Sequence, residues 1–249
     1  MATTPPALRF TTLLFPQVTQ LDLTGPTQVF AGLPGAVVDL AWHRREPVPT
    51  DAGFSLLPTV AFEEAEQADV LMIPGGQGAF DTLEDPVALD FVWRQAAGAR
   101  FVTSVCTGAF VLGVIGLLQG RRATTHWAVH PLLRHLGAIP VRERVVRDGE
   151  LFTGGGVTSG IDFALALAAE IYGADVAQGV QLAMEYDPQP PFDAGSPGAP
   201  EADPAHVEAV MRSARHSREP LVLRAAERLT SGTEVAGAPG PSDGTARGR

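Results

Sequence analysis

The chain has 249 residues, enough for one large α/β domain or two small ones. Hydrophobic residues make up 45% and charged residues 18%, ordinary for a globular core, while a net charge of −10 argues against a general nucleic-acid binder, which needs a basic face. A single cysteine excludes an intrachain disulfide framework and any multi-cysteine metal site, and it fits a reducing, cytoplasmic compartment.

The start, MATTPPALRF, lacks a basic segment followed by an apolar one, so no signal peptide is expected. TTLLF (11–15) is the first β-type run. LDLTGP (21–26) reads as the end of that unit, an acid and a turn at the carboxyl edge of a sheet, with Pro26 opening the helix PTQVFAGL. Asp22 lies between Leu21 and Leu23. It is either a turn or cap acid, or a proton-transfer group whose pKa burial raises. VVDLAW (37–42) and DVLMI (69–73) are further strands. IPGGQG (73–78) is either a plain strand-ending turn or a place where backbone amides approach a ligand. Asp85 and Pro86 make a cap and first position for the helix PVALDFVWRQAAG.

FVTSV (101–105) is a strand, and SVCTG (104–108) hands it over to a helix. Ser104 and Gly108 are small enough for a nucleophile elbow with Cys106 at its tip. A helix beginning at Thr107 aims backbone N–H groups at the thiol, which predicts a pKa below the free value of about 8.5 and a place to hold an anion. The alternative is a buried structural thiol. FVLGVIGLL (110–118), the longest strongly apolar run, is about half of a membrane span. In ATTHWAVH, His126 and His130 are four apart and can share a helical face. Trp127 stands where a zinc-protease motif needs Glu, and no third ligand is evident, so no metal is expected. His126 remains either a proton carrier beside Cys106 or a structural histidine.

Asp148-Gly149 signals a hairpin before ELFTG (150–154). TGGGVTSG (153–160) lacks the lysine of a P-loop and reads as a strand-to-helix turn near the site, followed by a long apolar helix over 158–173. Residues 185–204 form a Pro- and Gly-rich loop. Asp203-Pro204 opens a helix to about His216, and Pro220 opens a second one, LVLRAAERL. Residues 231–249 lack large apolar side chains and are expected to be a disordered tail behind one unit spanning 1–230. Strands alternating with helices imply a mostly parallel sheet covered on both faces, with ligands at the carboxyl ends of strands.

LLFPQVTQLDLTGP, IPGG, VTSVCTGAFVLG, GLLQGRRATTHWAVH, LGAIPVRERVVRDGELFTGGGVTSGIDFALALAAE and QLAMEYDPQPPFDAGSP, in that order, resemble the ThiJ/PfpI superfamily. That superfamily is related to class I glutamine amidotransferases, and the likeness is greatest to its isonitrile-hydrating branch, from about residue 9 to 230. The resemblance implies a flavodoxin-like three-layer sandwich with helices on both faces and Cys106 as nucleophile. It implies Asp22 as acid/base, Thr107 as an assisting hydroxyl, the backbone of Gly76 and Thr107 as an anion hole, and His126 beside the substrate. It further implies an isonitrile substrate, no cofactor or metal, no nucleic-acid or membrane partner, and a homodimer. Thr107 stands where the protease branch has His, which counts against a peptidase, and Asp22 is shorter than the Glu of redox and glyoxalase-like relatives. A glyoxalase-like enzyme using Cys106 and His126 on small dicarbonyls, or a thiol-based oxidant or ligand sensor, are the alternatives. A regulator would need roughly a hundred further residues for a helix-turn-helix module.

Overall fold

The computed structural model describes residues 7–230, so the segment 231–249 expected to be disordered lies outside the described residues. The strands are β1 (Arg9–Leu13), β2 (Val37–Trp42), β3 (Val48–Pro49), β4 (Ser55–Leu56), β5 (Val60–Ala61), β6 (Val70–Ile73), β7 (Phe101–Val105), β8 (Arg122–Ala123), β9 (Ile139–Pro140), β10 (Val145–Asp148) and β11 (Leu151–Gly154). The helices are α1 (Gln20–Ala31), α2 (Gly78–Asp81), α3 (Pro86–Gly98), α4 (Gly108–Val114), α5 (Ser159–Tyr172), α6 (Ala174–Ala183) and α7 (Pro204–Thr230), with 3-10 turns at Thr82–Glu84 and His130–Leu136. Seven strands form one sheet in the order β10-β11-β7-β6-β1-β2-β5. Every pairing in it is parallel except β10 with β11.

β6 shows why both faces must be covered. Val70 and Met72 enter one core with Phe10, Phe30 and Phe163, while Leu71 and Ile73 enter the other with Leu14, Phe91 and Phe110. An unbroken apolar run is what a strand buried on two sides requires. Helices α1, α5 and α6 supply the first core, and α2, α3, α4 and α7 the second. This is the flavodoxin-like α/β architecture expected from the alternation of elements.

Local signals account for several boundaries. The Asp85 carboxylate accepts from the N–H groups of Val87 and Ala88 at 3.1 and 3.0 Å, so α3 starts at Pro86 as its cap predicts. In the β10–β11 hairpin, Asp148 pairs with Leu151 and the loop is Gly149-Glu150, with Gly149 at φ 65°. The turn is one residue later than the Asp-Gly reading, since glycine occupies the position that needs the left-handed conformation. No helix among the described residues is long and apolar enough to cross a membrane.

Two expectations need correction. The first helix starts at Gln20, not Pro26, so Asp22 lies in its first turn rather than at the end of a strand. Pro26 sits inside α1 and leaves the Asp22 carbonyl without its usual donor. Tertiary packing makes that tolerable. The Pro26 ring lies against Gly160, where an added Cβ would come within 3.1 Å of it, and Gly25 faces Ile161 equally closely. The second correction concerns the C-terminal part, which is one helix of 27 residues with Pro220 inside it, not two helices. Ala214, Val222 and Ala225 are buried on either side of Pro220, and that shared stripe holds the two halves in line. Pro220 itself is exposed, on the side where water can reach a freed carbonyl.

Candidate active site

The carboxyl ends of β6, β7 and β11 meet at Cys106, which follows β7 directly. Its φ is 55°, a left-handed conformation that a side chain adopts only under constraint. The constraint is visible on both sides. The Cys106 N–H donates to the Gly154 carbonyl at 2.9 Å, and its own carbonyl accepts from the buried Thr125 hydroxyl at 2.6 Å.

Around this elbow the backbone is packed too tightly for any side chain but hydrogen. A Cβ on Gly108 would lie 2.1 Å from the Ile73 carbonyl oxygen. One on Gly75 would meet Cys106 Cβ at 2.6 Å, the Thr107 nitrogen at 2.6 Å and Asp22 Oδ2 at 2.7 Å. One on Gly156, over the thiol, would meet Cys106 Cβ at 2.7 Å and Sγ at 3.0 Å. Three glycines, two on loops and one opening α4, therefore let Cys106, Thr107 and Asp22 converge. The runs PGG after β6 and GGG at the end of β11 were the sequence signal for Gly75 and Gly156.

Thr107 ties the elbow to the β6 loop. Its Oγ1 accepts from the Gly76 N–H and donates to the Gly76 carbonyl, both at 2.9 Å. The Gly76 amide expected in an anion hole is thus engaged with Thr107. The donors nearest the reactive groups are instead the Thr107 N–H, which interacts with the thiol, and the Gly75 N–H, which interacts with Asp22.

The electrostatics reverse one expectation. Burial first, and then the neighbouring Asp22, push the Cys106 thiol well above its ordinary pKa, and the Thr107 amide and hydroxyl offset only part of this. The seven-residue α4 does not outweigh the loss of water around a thiol only 6% exposed. Asp22 is fully buried, and burial raises its pKa from 3.8 to about 7; the Cys106 thiol and the Gly75 amide pull it down, and Asp51 adds a further push upward. Neither Asp22 oxygen has a hydrogen bond of ordinary geometry, so the thiol and the Gly75 amide are its nearest stabilising company. The Asp22 carboxylate opposes ionisation of the thiol, while the thiol beside it favours ionisation of Asp22. Above about pH 7, and below the alkaline range of the thiol, the pair holds one proton and one negative charge.

His126 and His130 do not share a helical face. His126 sits in a turn, its Nδ1 accepting from the Ala128 N–H at 3.3 Å, while His130 begins a 3-10 turn and its Nε2 lies 2.9 Å from the Val141 carbonyl. Burial and then the charge of Arg218 lower the His126 pKa, which keeps its imidazole neutral at pH 7. Among the described residues there is no group of three or more His, Cys, Asp or Glu placed to hold a metal ion. Besides Gly75 and Gly156, sequence reasoning missed Thr125, which anchors the elbow, and Arg218, which reaches the rim from α7.

A profile of the DJ-1/PfpI family matches residues 9–170. An isonitrile hydratase of Pseudomonas putida is 56% identical over 226 residues, covering 90% of this chain and 98% of that protein. A glutathione-independent glyoxalase of Caenorhabditis elegans is 27% identical over 158 residues, covering 63% of this chain and 83% of its own. Among solved structures, a ThiJ/PfpI family protein from Pseudomonas syringae superposes with a TM-score of 0.82 at 38% identity, covering 88% of this chain and 90% of that one.

Proposed function

The chain belongs to the DJ-1/PfpI family, and on that premise we propose that it is an isonitrile hydratase, converting R–N≡C and water to an N-substituted formamide. The observation that carries the reading is the buried Cys106–Asp22 pair at the elbow. It stands in a chain 56% identical to the Pseudomonas putida hydratase across nearly all of both proteins.

The chemistry follows from one proton shared between two buried groups. The thiol proton passes through Asp22 to the terminal carbon of the isonitrile, and Sγ bonds to that same carbon. The product is a thioimidate, R–N=CH–S–Cys106, with Asp22 again a carboxylate. The Thr107 amide favours the sulfur anion as it forms. Asp22 then takes a proton from water as the oxygen adds to carbon, and returns it to nitrogen. Collapse of the tetrahedral adduct makes C=O and breaks C–S; the hydroxyl proton returns through Asp22 to sulfur. Splitting one hydration into two additions to carbon is ordinary covalent catalysis. An isonitrile suits a dry site because the group is small, linear and carries no net charge. A dicarbonyl needs a proton moved between adjacent carbons, which favours a longer carboxylate than Asp22.

The test offers the protein cyclohexyl isocyanide and, separately, methylglyoxal. N-cyclohexylformamide should form from the first, with little turnover of the second. Lactate without formamide would replace the reading with a glyoxalase. Rapid peroxide oxidation of Cys106 without either product would favour a sensor.

A further inference from the structure

Helix α7 turns Ala214, Arg218, Val222 and Ala225 toward the body of the protein, at steps of four, four and three residues. Three of these are buried and apolar, and the fourth is an arginine on the same stripe. Its guanidinium lies over the Phe80 ring, 5.3 Å from the centroid, and Nη2 donates to Gln77 Oε1 at 3.3 Å. Its Nε is buried and donates to nothing. Three of the other four arginines of the helix have ion pairs, Arg212 with Glu208, Arg215 with Glu219 and Arg228 with Glu84, and the fourth, Arg224, is exposed. Among the described residues no carboxylate is within ion-pairing distance of Arg218. A buried N–H of a cation left without an acceptor is costly, and a carboxylate satisfies Nε–H and Nη–H together.

Arg218 touches one of the two loops that hold the elbow and acts electrostatically on the other. Gln77 follows Gly76, which is bonded to the Thr107 hydroxyl. His126, which feels the charge of Arg218, follows Thr125, which holds the Cys106 carbonyl. Negative charge acts at the floor, where Asp51 raises the pKa of Asp22. A ligand with its reactive carbon at Cys106 and an anion toward Arg218 matches this polarity, and the reverse orientation opposes it.

We propose that Arg218 receives a carboxylate on the substrate, so that the preferred isonitriles carry an acidic group on R. The isonitrile part rests on the hydratase reading; the anion receptor rests on the helix geometry.

The experiment compares carboxylate-bearing isonitriles, with one to three methylenes between nitrogen and carboxylate, against their methyl esters. In the wild type, kcat/KM should favour an acid over its ester, and Arg218→Gln should lower the acid-to-ester ratio about tenfold or more. Arg218→Lys should restore part of it. A wild-type preference for the esters at every length, or a ratio that Arg218→Gln leaves unchanged, would overturn the proposal. Alkylation of Cys106 by iodoacetate and by iodoacetamide separates the two premises, because it needs no turnover. Arg218→Gln should lower the iodoacetate-to-iodoacetamide rate ratio about tenfold. If no isonitrile is hydrated but this ratio falls, the hydratase reading and the acidic-isonitrile assignment fail, and the anion receptor stands. If the ratio is unmoved, the receptor fails as well.

Discussion

Around Cys106 the contacts are backbone against backbone. Gly75, Gly108 and Gly156 admit no Cβ, and the strained cysteine is hydrogen-bonded at both its N–H and its carbonyl. Around Arg218 the contacts are side chain against side chain, with a ring and an amide. The floor has one arrangement, because backbone cannot repack without moving a strand. The rim has several, because long side chains change rotamer at small cost. Such a division places the reacting atoms on the stiffest part of the fold and leaves discrimination between R groups to parts that tolerate substitution.

The most severe way to break the floor is to remove its nucleophile. Cys106→Ala should fold, since alanine is smaller at the same position, and should lose at least about 10³-fold in turnover. Near wild-type formamide production in that variant would end the covalent mechanism. Gly108→Ala tests the backbone packing itself, placing a methyl group 2.1 Å from the Ile73 oxygen. It should cost about 3 kcal/mol, read as a lower midpoint in urea. A midpoint within error of wild type would mean the floor yields as readily as the rim.

Asp22→Asn should lower turnover about 10²-fold, because asparagine keeps the shape and cannot carry the proton. Its effect on stability has a definite sign. The folded pKa of Asp22, about 7, lies above its ordinary 3.8, so the folded state holds this proton more tightly. That contribution is full below about pH 4 and is lost as pH rises to about 7. An asparagine at this position has no charge to bury, so the variant should gain on wild type across that window, by up to about 4 kcal/mol. Urea titrations at pH 4 and pH 8 check it, and an equal difference at both would refute the raised pKa. The same value predicts that wild-type kcat/KM rises through pH 7 and stays level until the thiol ionises at high pH. The smallest expected effect is at the rim: His126→Ala should change kcat less than about tenfold, since the mechanism requires no imidazole. A loss matching that of Asp22→Asn would move His126 into the floor and weaken the contrast.

Much of the scaffold was legible from local pattern. Apolar runs such as DVLMI and FVTSV have to be strands covered on both faces, Asp85-Pro86 has to open a helix, and Ser104 and Gly108 leave room for Cys106 to turn. These are properties of neighbours in the chain, and neighbours are what a sequence displays. Three things depended instead on partners distant in sequence. Pro26 lies inside α1 because Gly160 makes room for its ring, and α7 passes Pro220 because Ala214, Val222 and Ala225 dock together on the same surface. Arg218 meets Gln77 only because the last helix folds back over α2. The thiol shows the difference most plainly. Its place after a strand and before a helix was written in SVCTG and pointed to a lowered pKa. Burial beside Asp22 raises it, because desolvation and a like-charged neighbour, both set by the tertiary fold, outweigh a helix of seven residues.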